Sequence, residues 1–226
     1  MNDSRIKELE RIAENYHLND RHPDKFIEDI CQDFCCDWLA SLLCEKDSTL
    51  ELGYGEGVTA KKLHNLGKSY TVLEGSPSIV KKARADIVDL DIISELFENY
   101  SPKTAYSKIL ALHVFEHMDD PFEVAELLKN WLEPDGEVVA IVPNKNSIHR
   151  QLALKMGLIK RLDELSARDE IVGHQRVYDL EGFTQLFKQA GFQIIETRGF
   201  FLKPLSNSQM LDYSPYLLTA LNEISC

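Results

Sequence analysis

The chain is short of positive charge. Its 226 residues hold 25 lysines and arginines against 37 acids, a formal net charge of −12. That balance argues against sequence-independent nucleic-acid binding, which depends on neutralising phosphates. The small basic group Lys155, Lys160 and Arg161 reads as a solvated helix face. No run of eighteen apolar residues is present, so no membrane span is expected. The first stretch, Met1 to Glu10, lacks the apolar core of a signal peptide. A soluble, cytoplasmic protein is the expectation. Cysteine is sparse and odd in number: Cys31, Cys35, Cys36, Cys44 and Cys226. This is no disulfide framework, and no histidine stands at finger spacing to make it a zinc site. Cys31, Cys35 and Cys36 share a helical face and read as small core residues. Internal repeats and low-complexity segments are also missing.

What is present is organised around Leu50 to Gly57, Leu-Glu-Leu-Gly-Tyr-Gly-Glu-Gly. It reads as a buried strand, a glycine turn and then a helix from Val58 to Leu66. Glycines serve where backbone must turn sharply and approach a ligand, and the helix start offers free N–H groups. The spacing Gly53, Gly55, Gly57 is not the Gly-x-Gly-x-x-Gly dinucleotide fingerprint. Glu51 and Glu56 would repel a pyrophosphate. Glu51 suits the ammonium of an amino-acid-like ligand. About twenty residues on, Tyr70 to Glu74 reads as a second strand ending in an acid, where nucleotide-binding α/β folds hold a ribose diol.

The remaining pattern predicts an α/β fold: a doubly wound, mostly parallel, Rossmann-like sheet with N-terminal cap helices and a helical insertion after strand five. One domain is expected over 1–226, with cap helices over 1–45, a cofactor-binding core over 48–142, a lid insertion over 143–178 and a C-terminal part over 179–226. The cap has a break at Asn19–Pro23. Its second helix starts at Asp24 and carries an apolar face of Phe26, Ile27, Ile30, Phe34, Trp38 and Leu42. Tyr16, His17 and His22 lie at the joint. In the core, Pro77 to Arg84 is helical, Ile87 to Leu90 a short third strand, Ile92 to Tyr100 helical and Lys108 to His113 a buried fourth strand. Asp119-Asp120-Pro121 caps a helix to Trp131, Glu133 to Gly136 turns, and Glu137 to Val142 is the fifth strand. Gln151 to Leu165 is predicted helical, Ser166 to Gly173 polar and mobile, Leu180 to Ala190 helical after Asp179, and Phe192 to Thr197 a sixth strand. An apolar helical patch closes the chain from Tyr213 to Ile224.

In order along the chain, these segments resemble the class I S-adenosylmethionine-dependent methyltransferases. Glu51 to Gly57 resembles their motif I, and Glu74 their ribose-binding acid. His113 to Met118, followed by Asp119-Asp120-Pro121, is similar to the segment after strand four in the ubiquinone-biosynthesis type. Asn130 to Gly136 and Val142-Pro143-Asn144 resemble the turn before strand five and that strand's end. Gly173-His174 to Tyr178 and Ala190-Gly191-Phe192 are similar to the same group. The resemblance implies S-adenosylmethionine as cofactor and a small-molecule methyl acceptor. It implies a cofactor site of Tyr16, Glu51, Gly53, Gly55, Gly57, Glu74, Gly75, Ser76, Leu112 and His113, with Asp89, or Asp91 close behind, on the adenine amino group. His117 and His174 are the candidate catalytic bases, and the implied reaction is O-methylation. The usual antiparallel pair at the C-terminus is not evident.

Two metal readings compete. His113-x-x-Glu116-His117 matches an inverted zinc-protease pattern, but a histidine closing a strand does not share a helix face with His117. In some quinone-pathway relatives, acids and a histidine here hold a divalent ion. His113 replaces one of those acids, which weakens an oxygen-rich Mg²⁺ site, and no metal is expected. A non-catalytic cofactor- or partner-binding protein and an NAD-dependent oxidoreductase are the alternatives.

Overall fold

The computed structural model describes residues 2–19 and 25–225. Residues 20–24, which hold most of the expected break, the cap Asp24 and His22, lie outside the described residues, as does Cys226.

Helix α1 (Asn2–Ile12) runs into a single π-helical turn, Ala13–His17, and α2 (Lys25–Leu42) follows. In α2 the buried apolar side chains include Ile27, Cys35, Cys36 and Leu39, whereas Phe26 is half exposed. Most of the predicted stripe does pack inward: Ile27 is buried, and Ile30, Phe34 and Trp38 pack against the core clusters, with Cys35 and Cys36 as small core groups beside them.

Strand β1 (Ser48–Leu52) leads through the glycine turn to α3 (Val58–Leu63), then β2 (Ser69–Glu74) and α4 (Pro77–Asp86). The Ser76 side chain caps α4, and Pro77 sits in the first turn, where its missing N–H costs nothing. Next come β3 (Asp91–Ser94), β4 (Tyr106–Leu112), α5 (Pro121–Trp131, capped by Asp120) and β5 (Leu132–Ile141). The sheet is parallel throughout, in the order β3-β2-β1-β4-β5. Leu50, Val72, Leu73, Ile109 and Ala111 have no accessible surface, as expected for strands covered on both faces. The order reverses between β1 and β4. A crevice opens there at the strands' carboxyl ends, the usual ligand position in such sheets.

Several predicted boundaries move. The third strand is not Ile87 to Leu90 but Asp91–Ser94, inside the segment expected to be helical. Val88 is 87% exposed, while Ile92 is buried and pairs with Val72. The predicted turn Glu133 to Gly136 is absorbed into β5 as a register jump. Tyr106 pairs with Leu132 and Lys108 already with Glu137, and Asp135 takes a positive φ of 64°. Beyond β5, α6 (Ile148–Lys155) is shorter than predicted and gives way to Gly157 at φ 72°. Ser166 to Gly173, expected to be mobile, holds α7 (Ala167–Val172). There Ser166 and Asp169 cap each other's backbone N–H groups, and Gly173 closes the helix at φ 81°. Helix α8 (Leu180–Gln189) follows Asp179 as predicted, and α9 (Pro215–Glu223) fills the C-terminal patch.

The sixth strand is absent: Phe192 to Thr197 pairs with no strand among the described residues. Phe192 and Ile194 still pack on the core beside α5 and α8, while Ile195 is 78% exposed. The alternation is that of a strand, but packing alternate side chains does not supply a hydrogen-bonded neighbour. A separate apolar cluster of Ile27, Phe201, Met210, Leu218 and Leu221 ties the tail to α2. No described helix is long and apolar enough to cross a membrane.

Candidate active site

A cavity of ≈ 1400 Å³ lies over the carboxyl ends of β1, β2 and β4. Its first wall is the glycine turn. Gly53, Gly55 and Gly57 all have positive φ (76°, 52° and 79°). A Cβ on Gly57 would stand 2.3 Å from the Tyr54 ring, so a side chain there needs that ring to move as well as a strained backbone. The backbone N–H of Tyr54 donates to Glu74 (2.9 Å), and that of Ser76 donates to its other oxygen (2.7 Å). Glu74 is thus aimed from the end of β2 across the turn. Each carboxylate oxygen keeps a lone pair for a further donor. Burial raises the Glu74 pKa despite the two N–H groups.

Glu51 lies beneath the turn, 3% exposed, and accepts from the Tyr70 hydroxyl at 3.0 Å. Burial pushes its pKa up to about 8; the bond from Tyr70 works against this and nearby Glu74 adds to it.

Gly75 is pinned between Leu9 of α1 and Leu96, which a Cβ there would meet at 2.8 and 2.9 Å. Glu10 of α1 reaches the same loop, accepting from Ser76 Oγ (2.5 Å), Ser78 N (3.1 Å) and Ser78 Oγ (2.5 Å). Tyr16 is buried in the wall of the same cavity; its hydroxyl donates to Glu28, with Arg168 donating to both. The phenol proton is held more tightly than usual, first by burial and then by Glu28.

Asp89 and Asp91 are not brought to this site. They line a separate shallow depression with His64, Asn65 and Tyr70. Asp91 pairs with Thr71 at the start of β3, whereas Glu74 pairs with Ser94 at its end. Three residues of strand put Asp91 about 10 Å from the crevice. The expected strand was placed too early, so its acids fall at the wrong end. Leu96, Phe97 and Glu98 line the cavity instead. An apolar residue after a short strand carries no signal that separates it from core.

The opposite wall follows β4. Leu112 ends the strand and lines the cavity. His113 takes a left-handed φ of 55° and donates its N–H to Ile141. Glu116 is fully buried, and neither of its oxygens has a hydrogen-bond partner among the described residues. It stands 3.6 Å from His113 Nδ1 and 3.9 Å from His174 Nε2. Burial alone would protonate it; the three histidines around it lower its pKa instead. His117 and His174 meet edge to face, centroids 4.8 Å apart. His117 Nδ1 faces the Gly173 carbonyl at 3.2 Å, and burial drops its pKa to about 4. His174 Nδ1 lies 2.8 Å from Asp169, a contact that orients the ring. The two predicted bases, 57 positions apart in the chain, therefore share one wall. Asp169, which positions His174, was missed; it reads in sequence as one more acid of a helix cap.

Donor atoms of Glu116, His117 and His174 lie within 4.8 Å of one another. One carboxylate and two imidazoles suit a borderline transition ion and not an oxygen-rich Mg²⁺ shell. The magnesium implied by the quinone-pathway resemblance does not fit.

Residues 27–197 match the methyltransferase-domain family. The chain belongs to the class I S-adenosylmethionine-dependent methyltransferases. S-adenosylmethionine is its cofactor. A ubiquinone biosynthesis O-methyltransferase of Salmonella paratyphi A is 29% identical over 103 residues, 43% of each chain. The mitochondrial one of Schizosaccharomyces pombe is 23% identical over 172 residues, 72% of this chain and 61% of that protein. A trans-aconitate 2-methyltransferase of Escherichia fergusonii is 23% identical, covering 58% of this methyltransferase and 52% of the relative. The matches thus span about half the length of these curated relatives. Among solved structures, a Haloferax volcanii methyltransferase in complex with the Trm112 activator has a TM-score of 0.61 at 21% identity, over 80% of this chain and 76% of that one. A Thermotoga maritima S-adenosylmethionine-dependent methyltransferase also gives 0.61, at 18% identity over 82% and 81%. Such low identities speak for the fold. The crevice of this methyltransferase is lined by a glycine turn with three positive φ angles and by two buried acids, Glu51 and Glu74.

Proposed function

We propose that this methyltransferase methylates a hydroxyl of a small molecule. His174 carries the reading: a cavity-lining imidazole held by Asp169 at 2.8 Å, its other nitrogen 3.9 Å from buried Glu116. Two carboxylates stabilise the imidazolium that forms when His174 Nε2 takes the acceptor's hydroxyl proton. His117, its pKa lowered by burial to about 4, stays neutral and packs against the base. Glu51 holds the cofactor's ammonium, and Glu74 its ribose hydroxyls. Gly53, Gly55 and Gly57 let backbone approach its amino-acid end, and Leu96 takes the adenine place first given to Asp89 and Asp91. When bound, S-adenosylmethionine supplies an electrophilic methyl group on a sulfonium, displaced in line with S-adenosylhomocysteine as leaving group. The leaving group is good, so the protein's main work is alignment, up to roughly 7–11 kcal/mol in favourable cases.

Curated relatives named as O-methyltransferases support the hydroxyl reading. The test is methyl transfer from labelled S-adenosylmethionine to a panel of phenols, hydroxy acids, carboxylic acids and amines. Turnover confined to hydroxyl acceptors is expected. Turnover confined to amines, or no transfer to any acceptor class, would overturn the reading.

A further inference from the structure

The cofactor's amino-acid end carries a carboxylate as well as an ammonium, and the groups described so far serve only the ammonium. Glu51, Glu56 and Glu74 surround the glycine turn. An anion entering that wall unpaired meets repulsion and loses its water. A cation must stand beside it. Arg5 is committed to the His117 carbonyl (2.6 Å) and to Asp119 (3.7 Å). Arg168 is committed to Tyr16 and Glu28.

Arg150 is committed to Asp169 and to the Leu162 and Glu164 carbonyls, and Arg198 lies over Trp38 and Phe200. His17 stands at the glycine turn itself, and its position is specific. The π-helical turn closes with a bond from Leu18 N to Ala13 O at 2.8 Å, and the Lys25 ammonium holds the His17 carbonyl at 2.8 Å. Such single wide turns inside helices recur at functional sites. Here Tyr16 turns towards Glu28 and His17 towards the glycine turn. A heavy atom placed on Gly55 would meet the His17 ring at 3.9 and 4.0 Å and no other described residue within 4 Å. The open space over the turn is therefore bounded by this imidazole. Nδ1 lies 3.0 Å from Glu56, and Nε2 has no partner among the described residues. The side chain is 26% exposed, towards the cavity.

We propose that His17, as imidazolium, is the counter-ion for the carboxylate of the cofactor's methionyl end, binding through Nε2 while Glu56 holds Nδ1. Burial favours the neutral ring, but Glu56, and Glu74 behind it, raise its pKa above the ordinary 6.5. The other groups facing it are the Lys25 ammonium, the Tyr16 ring at 5.4 Å and, through the field, His117. His17 is a binding residue in this assignment and takes no part in acceptor chemistry, so the inference does not depend on the hydroxyl reading.

The experiment is calorimetric titration of the full chain with S-adenosylhomocysteine and with its decarboxylated analogue, which keeps the sulfur, ribose and amine. His17→Ala is expected to weaken S-adenosylhomocysteine at least ten-fold and the analogue less than two-fold. Binding of the analogue also shows that the variant has folded. The ratio of wild-type to His17→Ala affinity for S-adenosylhomocysteine, in which the titration of Glu51 cancels, shrinks as pH rises through the raised pKa of His17. His17→Arg keeps its charge and retains affinity there. Equal losses for both ligands, no loss for S-adenosylhomocysteine, or no recovery in His17→Arg at alkaline pH would overturn the assignment.

Discussion

At the mouths of β1 and β2 the key acid is held by backbone close to its own strand; at the mouth of β4 the contacts come from a distant segment of the chain. On the first side, Glu74 is fixed by two N–H groups of its own neighbourhood, Tyr54 and Ser76. On the second, His117 reaches the Gly173 carbonyl across 56 positions, and His174 depends on Asp169 of α7. Arg176 and Gln175 bind backbone carbonyls of residues 115–119 from the same distant segment. A cradle made of local backbone is complete once its strand and turn form. A wall made of distant side chains exists only when 143–178 has docked. On the roles proposed above, binding of the cofactor and activation of the acceptor fail separately.

The sharpest way to break that separation is His174→Ala. Loss of a positioned general base costs typically 10²–10⁴-fold in rate. We expect kcat to fall by that factor while affinity for S-adenosylhomocysteine stays within two-fold of wild type. Magnesium added after treatment with EDTA should not restore or raise turnover, since the donor set does not suit it. Equal damage to cofactor affinity, or loss of turnover on chelation restored by Mg²⁺, would merge the two walls into one machine.

The converse variant is Glu74→Ala. It removes the diol acceptor and strands two N–H groups, so affinity for S-adenosylhomocysteine should fall about 100-fold, near 2.8 kcal/mol. Glu74→Gln, which keeps one acceptor oxygen, should lose about ten-fold. At saturating cofactor both should retain most of kcat. Calorimetry with single-turnover rates checks this, and unchanged affinity would remove Glu74 from the ribose site.

The same contrast explains what could be seen in advance. Leu50 to Gly57 and Tyr70 to Glu74 carry their meaning locally: an apolar run, glycines at positions with positive φ, and an acid at a strand end. The parallel sheet and the caps Ser76, Asp120 and Asp179 were legible for the same reason. Asp89 and Asp91 were misplaced because Ile87 to Leu90 and Asp91 to Ser94 are both short apolar runs. Burial of Ile92 against Val72, a tertiary fact, decides between them. Asp169 and Glu10 gave no warning, and Glu56, read only as an acid of the glycine turn, gave none of its pairing with His17, since each partner arrives from another part of the chain.

Glu51 sharpens the comparison without changing the rate of anything. With a pKa of about 8 it is mostly protonated at pH 7 in the free protein. An ammonium beside it favours the ionised form, so binding at pH 7 should release up to about one proton from this group. Titrations in buffers of different ionisation heat measure that release, and the difference between wild type and Glu51→Gln isolates it from protonation at His17. The sign also applies to stability. A folded pKa raised above the ordinary ~4.3 means that the contribution is fully present below that value and is lost as pH rises towards 8. The free protein should lose this increment across that window. No difference in proton release between wild type and Glu51→Gln would remove Glu51 from the ammonium site.

The smallest expected effect concerns the one link by which α1 reaches the backbone-built wall through a carboxylate. Glu10 accepts three hydrogen bonds at the start of α4, two of them from hydroxyls that keep a water partner if it is lost. The helix start keeps its own cap in Ser76, which accepts from Ile79 N. Glu10→Ala should therefore cost about 1 kcal/mol of stability, the scale of a lost cap, and not the several expected for an orphaned buried group. Leu9 against Gly75 still holds the arm in place, so cofactor affinity should fall by no more than a few-fold. Chemical denaturation gives the first quantity and calorimetry the second. A loss of affinity as large as that of Glu74→Ala would mean that the arm, and not the glycine turn, builds the cradle.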